Sequence, residues 1–113
     1  MNKVIIVTGG SRGIGANIVK FLAKNGDKVI LNYNKSEEFA KQIQKELEKE
    51  SIKIDIFKAD VSKKADVLAM IEYVIEKYNR VDVLINNAGI SQEKLFTDIS
   101  DEEWKMIMDV NLN

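Results

Sequence analysis

The sequence predicts an α/β fold, a doubly wound parallel sheet of four strands in the order 3-2-1-4 with helices on both faces. Three observations carry this expectation. Apolar periodicity alternates along the chain between strand-like and helix-like spacing, with short punctuation between the runs. Strands separated by helical crossovers run parallel, and right-handed crossovers distribute the helices over both faces. The first strand-to-helix connection is also dense in glycine. In this strand order a ligand crevice opens at the carboxyl ends of strands one and four, and the glycine turn falls there.

The elements follow in order. Residues 4–7, Val-Ile-Ile-Val, are a run of β-branched apolar side chains and predict a buried strand. Thr8 to Gly15 form the glycine turn, and a helical pattern follows at Ile14, Ile18, Phe21 and Leu22. Asn25-Gly26-Asp27 leads into a second strand, Lys28–Tyr33. Ser36 is placed to cap a helix whose apolar stripe is Phe39, Ile43 and Leu47, with Ala40 beside it. A third strand spans 53–58 and ends at Asp60-Val61-Ser62. The helix expected over 64–78 turns Val67, Leu68, Ile71, Val74, Ile75 and Tyr78 inward. A fourth strand covers 81–86. Ser100 and Glu103 form a capping box for a last helix carrying Trp104, Ile107, Met108 and Leu112.

Composition bounds the function. A chain of 113 residues makes one domain, read as a dinucleotide-binding domain over 1–113. A net charge of −1 offers no attraction to nucleic acid or an anionic membrane. No apolar run approaches the roughly 18 residues of a membrane span. Met1 lies almost on the first strand, which leaves no room for a signal peptide, and a cytoplasmic location is the expectation. The chain has no cysteine and no histidine. Disulfides, Cys/His metal sites and Ser-His-Asp arrangements are therefore excluded, and no metal is expected.

Strand, glycine turn and helix in that order build a phosphate site. Glycines let a pyrophosphate approach the backbone, and the helix N-terminus supplies unpaired N–H groups at its positive dipole end. The spacing here is Gly9-x-x-x-Gly13-x-Gly15, which departs from the general G-x-G-x-x-G fingerprint and lacks the Gly-Lys-Ser/Thr ending of a nucleotide-hydrolase loop. The plain alternative is a tight turn without a ligand. An acidic residue roughly 20 positions past the glycines would hold ribose hydroxyls and favour NAD. That place reads Tyr33-Asn34-Lys35-Ser36, with no carboxylate before Glu37. Lys35 with Arg12 could instead meet a 2′-phosphate, so NADP is expected over NAD; the alternative is that both are ordinary solvated charges.

The chain resembles the short-chain dehydrogenase/reductase family. The resemblance rests on Thr8-Gly9-Gly10-Ser11-Arg12-Gly13-Ile14-Gly15, Asp60-Val61, Asn86-Asn87-Ala88-Gly89 and Val110-Asn111-Leu112, in the family's order over essentially the whole chain. Among its members, the 3-oxoacyl-[acyl-carrier-protein] reductases share the Ser-Arg-Gly-Ile-Gly turn and the Asn-Tyr ending of strand two. The resemblance implies a Rossmann-type half and a role for each matching position. Gly9, Ser11, Arg12, Gly13, Ile14 and Gly15 would cradle the phosphates. Asp60 would accept from the adenine amino group, with Val61 beside the ring. Asn87, Ala88, Gly89 and Ile90 would line the ribose side, and Asn111 would be the catalytic asparagine that holds a water in the proton relay. Taken from the residues alone, Asp60 could cap the next helix, Asn86 and Asn87 could be turn residues, and Asn111 could be a helix end.

The family's proton donor is a tyrosine followed four residues later by lysine, after strand five, with a serine before it. One Tyr-x-x-x-Lys occurs here, Tyr73 and Lys77, but it precedes strand four. Its Tyr73 is expected on the polar side of the helix with Asp66. A helix that stops after Leu112 without a glycine cap is expected to be cut. The chain is thus expected to be the cofactor-binding half of an NADP(H)-dependent reductase, inactive alone. The complete protein would reduce a 3-oxoacyl thioester carried on acyl carrier protein, in fatty acid biosynthesis. A non-catalytic nucleotide-binding or interaction module is the alternative, and a fragment that associates without binding cofactor well is a third. An unpaired edge on strand four leads to an expected homo-oligomer.

Overall fold

A computed structural model describes residues 2–9 and 13–87. Within them run β1 (Val4–Thr8), α1 (Gly13–Lys24), β2 (Lys28–Tyr33), α2 (Glu37–Glu48), β3 (Asp55–Lys58), α3 (Lys64–Tyr78) and β4 (Val83–Asn86). The sheet is parallel, in the order β3-β2-β1-β4. The helix expected at the end of the chain, with its Ser100–Glu103 box, lies outside the described residues.

Every residue of β1 is buried, because the strand is paired on both edges and covered on both faces. Its register runs from Val4↔Lys28 to Val7↔Leu31 against β2, and from Ile5↔Val83 to Thr8↔Asn86 against β4. Side chains alternate between faces. Ile5, Val7, Val29 and Leu31 join Val19 and Ala23 of α1 and Ala40, Ile43 and Leu47 of α2. On the other face Val4, Ile6 and Ile30 join Val67, Met70, Ile71, Val74 and Ile75 of α3. Crossover handedness explains the division. The chain steps one way from β1 to β3 and then returns past β1 to β4, so right-handed connections put α1 and α2 on one face and α3 on the other.

Three expectations about helix faces change. The sheet-facing side of α1 is Gly15, Val19 and Ala23, whereas Ile14 and Phe21 are 73% and 72% exposed. Both sets satisfy helical spacing. The small residues win because they let the helix approach the sheet closely, which moves the bulky set to the flank. Ile18 and Leu22 are half-buried between the two. Phe39 is 46% exposed, and Ala40, Ile43 and Leu47 form the buried stripe of α2. Met70 is fully buried in α3, in a place the sequence reading passed over, while Leu68 and Tyr78 are only partly so. Ser36 occupies the N-cap position of α2 but makes no side-chain capping hydrogen bond.

Two strands are shorter than expected. Pairing of β3 begins at Ile30↔Asp55. Pairing of β4 begins at Ile5↔Val83; before it the Asp82 N–H donates to the Val4 carbonyl at 2.9 Å, while the Val4 N–H turns to the Asp82 carboxylate at 2.8 Å. That bond, with Arg80 at 2.8 Å, holds the Asp82 carboxyl below its usual range.

At the amino-terminal end of β3, the Asp55 carboxylate gathers three donors from the last turns of α3: the Tyr73 hydroxyl at 3.2 Å, the Lys77 ammonium and the Tyr78 hydroxyl. Tyr73 is not on a solvated polar face. Its ring packs on Phe57, with centroids 5.1 Å apart, at the edge of the α3-side core. This latch ties the end of α3 to the edge of the sheet. Burial, then the bond to Asp55, pushes the Tyr78 hydroxyl up to about 12, and Lys77 is raised as well, chiefly by its hydrogen bond to Asp55.

Two stability outcomes follow from this packing. Ile6→Ala, at a site with no exposure, should cost about 2–5 kcal/mol in chemical denaturation, whereas Phe21→Gln on the exposed flank should stay within about 0.5 kcal/mol. The latch also sets a dependence on alkaline pH. Below the ordinary tyrosine value of 10.0 the Tyr78 hydroxyl is neutral in both folded and unfolded chains, so its contribution is complete. Between there and about 12 the unfolded chain ionises first, and that stability is lost. Denaturant midpoints should fall across this window, and Tyr78→Phe should flatten the fall; an unchanged slope would remove Tyr78 from the account.

Candidate functional site

The carboxyl ends of β1 and β4 lie side by side, and the glycine turn leaves from this point. Two positions in the turn need a left-handed backbone, Gly9 at φ +61° and Gly13 at φ +56°. A Cβ on Gly13 would meet nothing within 4 Å among the described residues, and its positive φ is what favours glycine there. Gly13 opens α1, whose first N–H groups lack helical partners and sit at the positive end of the helix dipole. Gly15, within the first turn, is buried on the sheet-facing side, and Ile14 beside it is open to solvent. Ser11 and Arg12 lie outside the described residues.

The wall on the β4 side is held by a polar clamp. Thr8 is completely buried, and its hydroxyl lies 3.2 Å from Asn86 Oδ1 and 3.4 Å from the Ile85 carbonyl while accepting the Asn87 N–H at 3.2 Å. The Asn87 side-chain amide then donates to the Gly9 carbonyl at 3.2 Å. Asn86 and Asn87 therefore fasten the end of β4 to the start of the glycine turn. Ala88, Gly89, Ile90 and Asn111 lie outside the described residues.

The ends of β2 and β3 form the other side. Tyr33 is 7% exposed, with its ring in the core under α1 and α2 and its hydroxyl 3.4 Å from Glu37 Oε1. Burial, and then Glu37, pushes that hydroxyl up. Only Asn34 and Lys35 of this group present exposed side chains. Asp60 Oδ1 accepts from the Ser62 hydroxyl at 2.6 Å and the Ser62 N–H at 3.0 Å. These bonds, with Lys63 and Lys35 nearby, hold its carboxyl below the usual range. The carboxylate thus shapes the turn into α3, although the N-cap position itself is Lys63. Val61 is 7% exposed and belongs to the α3-side core.

Three contributors escaped the sequence reading: the hydroxyl of Thr8, Asn32 and Asp66 at the turn. Asn32 gave a signal, being a polar residue directly after the apolar run Val29–Leu31 of β2. The chain's one Tyr-x-x-x-Lys, Tyr73 and Lys77, is engaged with Asp55 at the first residue of β3, at the opposite end of the sheet from the glycine turn. Among the described residues no helix is long and apolar enough to cross a membrane.

Comparison with known proteins agrees with this geometry. A family model described as short chain dehydrogenase matches residues 3–113. The chain is 38% identical over 112 residues to the 3-oxoacyl-[acyl-carrier-protein] reductase FabG of Staphylococcus epidermidis, covering 99% of this chain and 46% of that one. It is 37% identical to the short-chain dehydrogenase/reductase FrzI of a Cladobotryum species, covering 99% and 43%. The chain thus spans less than half the length of these curated relatives. Among solved structures, a metagenomic short-chain oxidoreductase in complex with NADP aligns with a TM-score of 0.72 and 33% identity, covering 78% of this chain and 39% of that one. A dehydrogenase/reductase from Sinorhizobium meliloti aligns with the same score at 31% identity, covering 96% and 43%. With the glycine turn, the β1–β4 junction and the strand order all in place, the chain belongs to the short-chain dehydrogenase family.

Proposed function

We propose that this chain is the nucleotide-binding part of an NADP(H)-dependent reductase whose substrate class is a 3-oxoacyl thioester on acyl carrier protein. The observation that carries the reading is the glycine turn, left-handed at Gly9 and Gly13, opening onto a helix N-terminus beside the Thr8–Asn87 clamp. The names of the similar FabG proteins support the substrate class, and the NADP complex of a similar structure supports the cofactor.

The residues present fit such a group. Gly9, Gly13 and Gly15 with Ser11, Arg12 and Ile14 hold the pyrophosphate through backbone N–H groups at the start of α1. Asp60 accepts from the amino group of the base, with Val61 beside it. Arg12, Asn34 and Lys35 meet the 2′-phosphate, and Lys35 stands close enough to lower the Asp60 carboxyl. The ring of Tyr33 supports this loop from the core. Asn87, Ala88, Gly89 and Ile90 line the ribose, and Asn111 holds a water for proton transfer. The bound dinucleotide supplies the hydride for the carbonyl carbon.

A second reading, a nucleotide-binding module without catalysis, is favoured by one observation: Tyr73 and Lys77 are latched to Asp55 at the far end of the sheet. For the chain alone both readings expect nucleotide binding without hydride transfer. A 3-oxoacyl thioester assay with NADPH, applied to a full-length protein that contains this chain, separates them.

Calorimetric titration tests the site. Valine at Gly13 must enter a left-handed backbone at about 1–2 kcal/mol, so NADPH binding should weaken by about 5- to 30-fold. Unchanged affinity would remove the glycine turn from the site. NADPH should bind more tightly than NADH, and Asn34→Asp should narrow the difference by repelling the 2′-phosphate and adding a ribose acceptor. Asn34 is the position for this test, since a carboxylate at Tyr33 would be buried facing Glu37. Equal or tighter binding of NADH by the parent chain overturns the cofactor choice.

A further inference from the structure

Asn32 is the only buried side chain on β2 that ends in an amide, and its burial leaves it 2% exposed. It shares the α3 side of the strand with Ile30, two residues before it. Its Nδ2 lies 3.2 Å from the Ala59 carbonyl, 3.3 Å from the Phe57 carbonyl and 3.5 Å from the Tyr33 carbonyl. An amide nitrogen has two protons, so the two shorter contacts are the bonds it makes well. Both acceptors are on β3 or on the residue just past it. The Ala59 carbonyl belongs to the same peptide unit as the Asp60 N–H, and that N–H donates to Asp66 Oδ2 at 2.8 Å. One peptide plane is therefore gripped at both ends by side chains, Asn32 from β2 and Asp66 from the first turn of α3.

We propose that Asn32 and Asp66 are positioning residues that aim Asp60 at the purine, and so set the preference for adenine over other bases. The inference rests on the reading above in which Asp60 accepts from the base. The geometry makes the two residues specific to this task. The ladder between β2 and β3 already ends in the Ala59 N–H to Tyr33 carbonyl bond at 2.9 Å, so neither residue is needed to pair the strands. What they add is the orientation of the next peptide unit. With its plane fixed and Oδ1 occupied by Ser62, the Asp60 carboxylate has one remaining oxygen whose direction is set by the backbone. An adenine offers a 6-amino donor to that oxygen. Hypoxanthine offers a carbonyl in the same place, which a carboxylate repels.

The test compares binding of NADPH with binding of its hypoxanthine analogue, with nicotinamide mononucleotide, which carries no purine, as a reference for the other end of the site. The parent chain should favour the adenine form by about tenfold, the effect of one hydrogen bond to a charged group. Asp60→Asn should erase most of that ratio. Asn32→Leu, which keeps the volume, should lower the ratio several-fold without changing affinity for the mononucleotide. Asp66→Ala should do the same, and Asp66→Asn, which retains an acceptor oxygen, should restore it. A parent chain that binds both dinucleotides equally overturns the Asp60 reading itself, and the proposal with it. A parent that discriminates, loses discrimination in Asp60→Asn and keeps it in Asn32→Leu and Asp66→Ala overturns the positioning proposal alone. If Asn32→Leu does not fold, the Asp66 pair decides: a ratio unaltered in Asp66→Ala overturns the proposal, and loss in Asp66→Ala with recovery in Asp66→Asn supports it.

Discussion

The double pairing of β1 is the constraint on which the rest of this structure depends. A strand bonded to β2 on one edge and β4 on the other has no edge of its own, and helices cover both its faces. Its side chains must therefore be apolar or fully hydrogen-bonded: Val4 to Val7 are apolar, and the Thr8 hydroxyl is bonded. The same pairing brings the carboxyl ends of two strands distant in sequence together at Thr8 and Asn86. The chain leaves β1 there, and a parallel sheet cannot be left by a hairpin, so the exit becomes a glycine turn into a helix. The candidate site is a consequence of that exit.

Among the described residues the buried polar side chains are Thr8 and Asn32, and each has work at the sheet ends. Thr8 is fully buried, yet its hydroxyl has partners on both sides, which removes the cost of an unsatisfied polar group in the core. The same bonds couple the end of β4 to the backbone of Gly9, through Asn87. On the other flank Asn32 and Asp66 do for the Ala59–Asp60 peptide what Thr8 and Asn87 do for the turn. In both cases a buried side chain, Thr8 or Asn32, bonds the backbone just past a strand end, at Asn87 or Ala59. Those supports sit in strands, which hold the backbone beyond the sheet ends in a fixed place.

The Tyr73–Lys77 pair shows why a motif requires its place in the fold. The spacing of four brings both side chains to one side of α3, which the chemistry of a proton donor and its lysine partner would use. Here they turn to the first residue of β3, and their common partner is Asp55. An inward-facing charge on β3, held by Tyr73, Lys77 and Tyr78, also blunts an edge of the sheet that the described residues leave unpaired on its outer side. The pair is a latch by virtue of which end of the sheet it meets.

The amino-acid order alone determined the class of fold, the strand order and the extents of β2 and α3, because alternating period-two and period-3.6 runs leave one solution once crossovers are right-handed. It also located the glycine turn. It could not choose the sheet-facing side of α1, where Ile14, Ile18, Phe21 and Leu22 compete with Gly15, Val19 and Ala23 at equal periodicity. Closeness of approach to the sheet decided for the small set, and that distance exists only between elements. The same holds for Tyr33, expected at the end of strand two among the cofactor contacts but turned into the core by the alternation of a strand covered on both faces. Asp82 taking the Val4 N–H, and Asn32 reaching the Ala59 carbonyl, join residues 78 and 27 positions apart. Local propensity carries no information about such pairs; the register of neighbouring strands creates them.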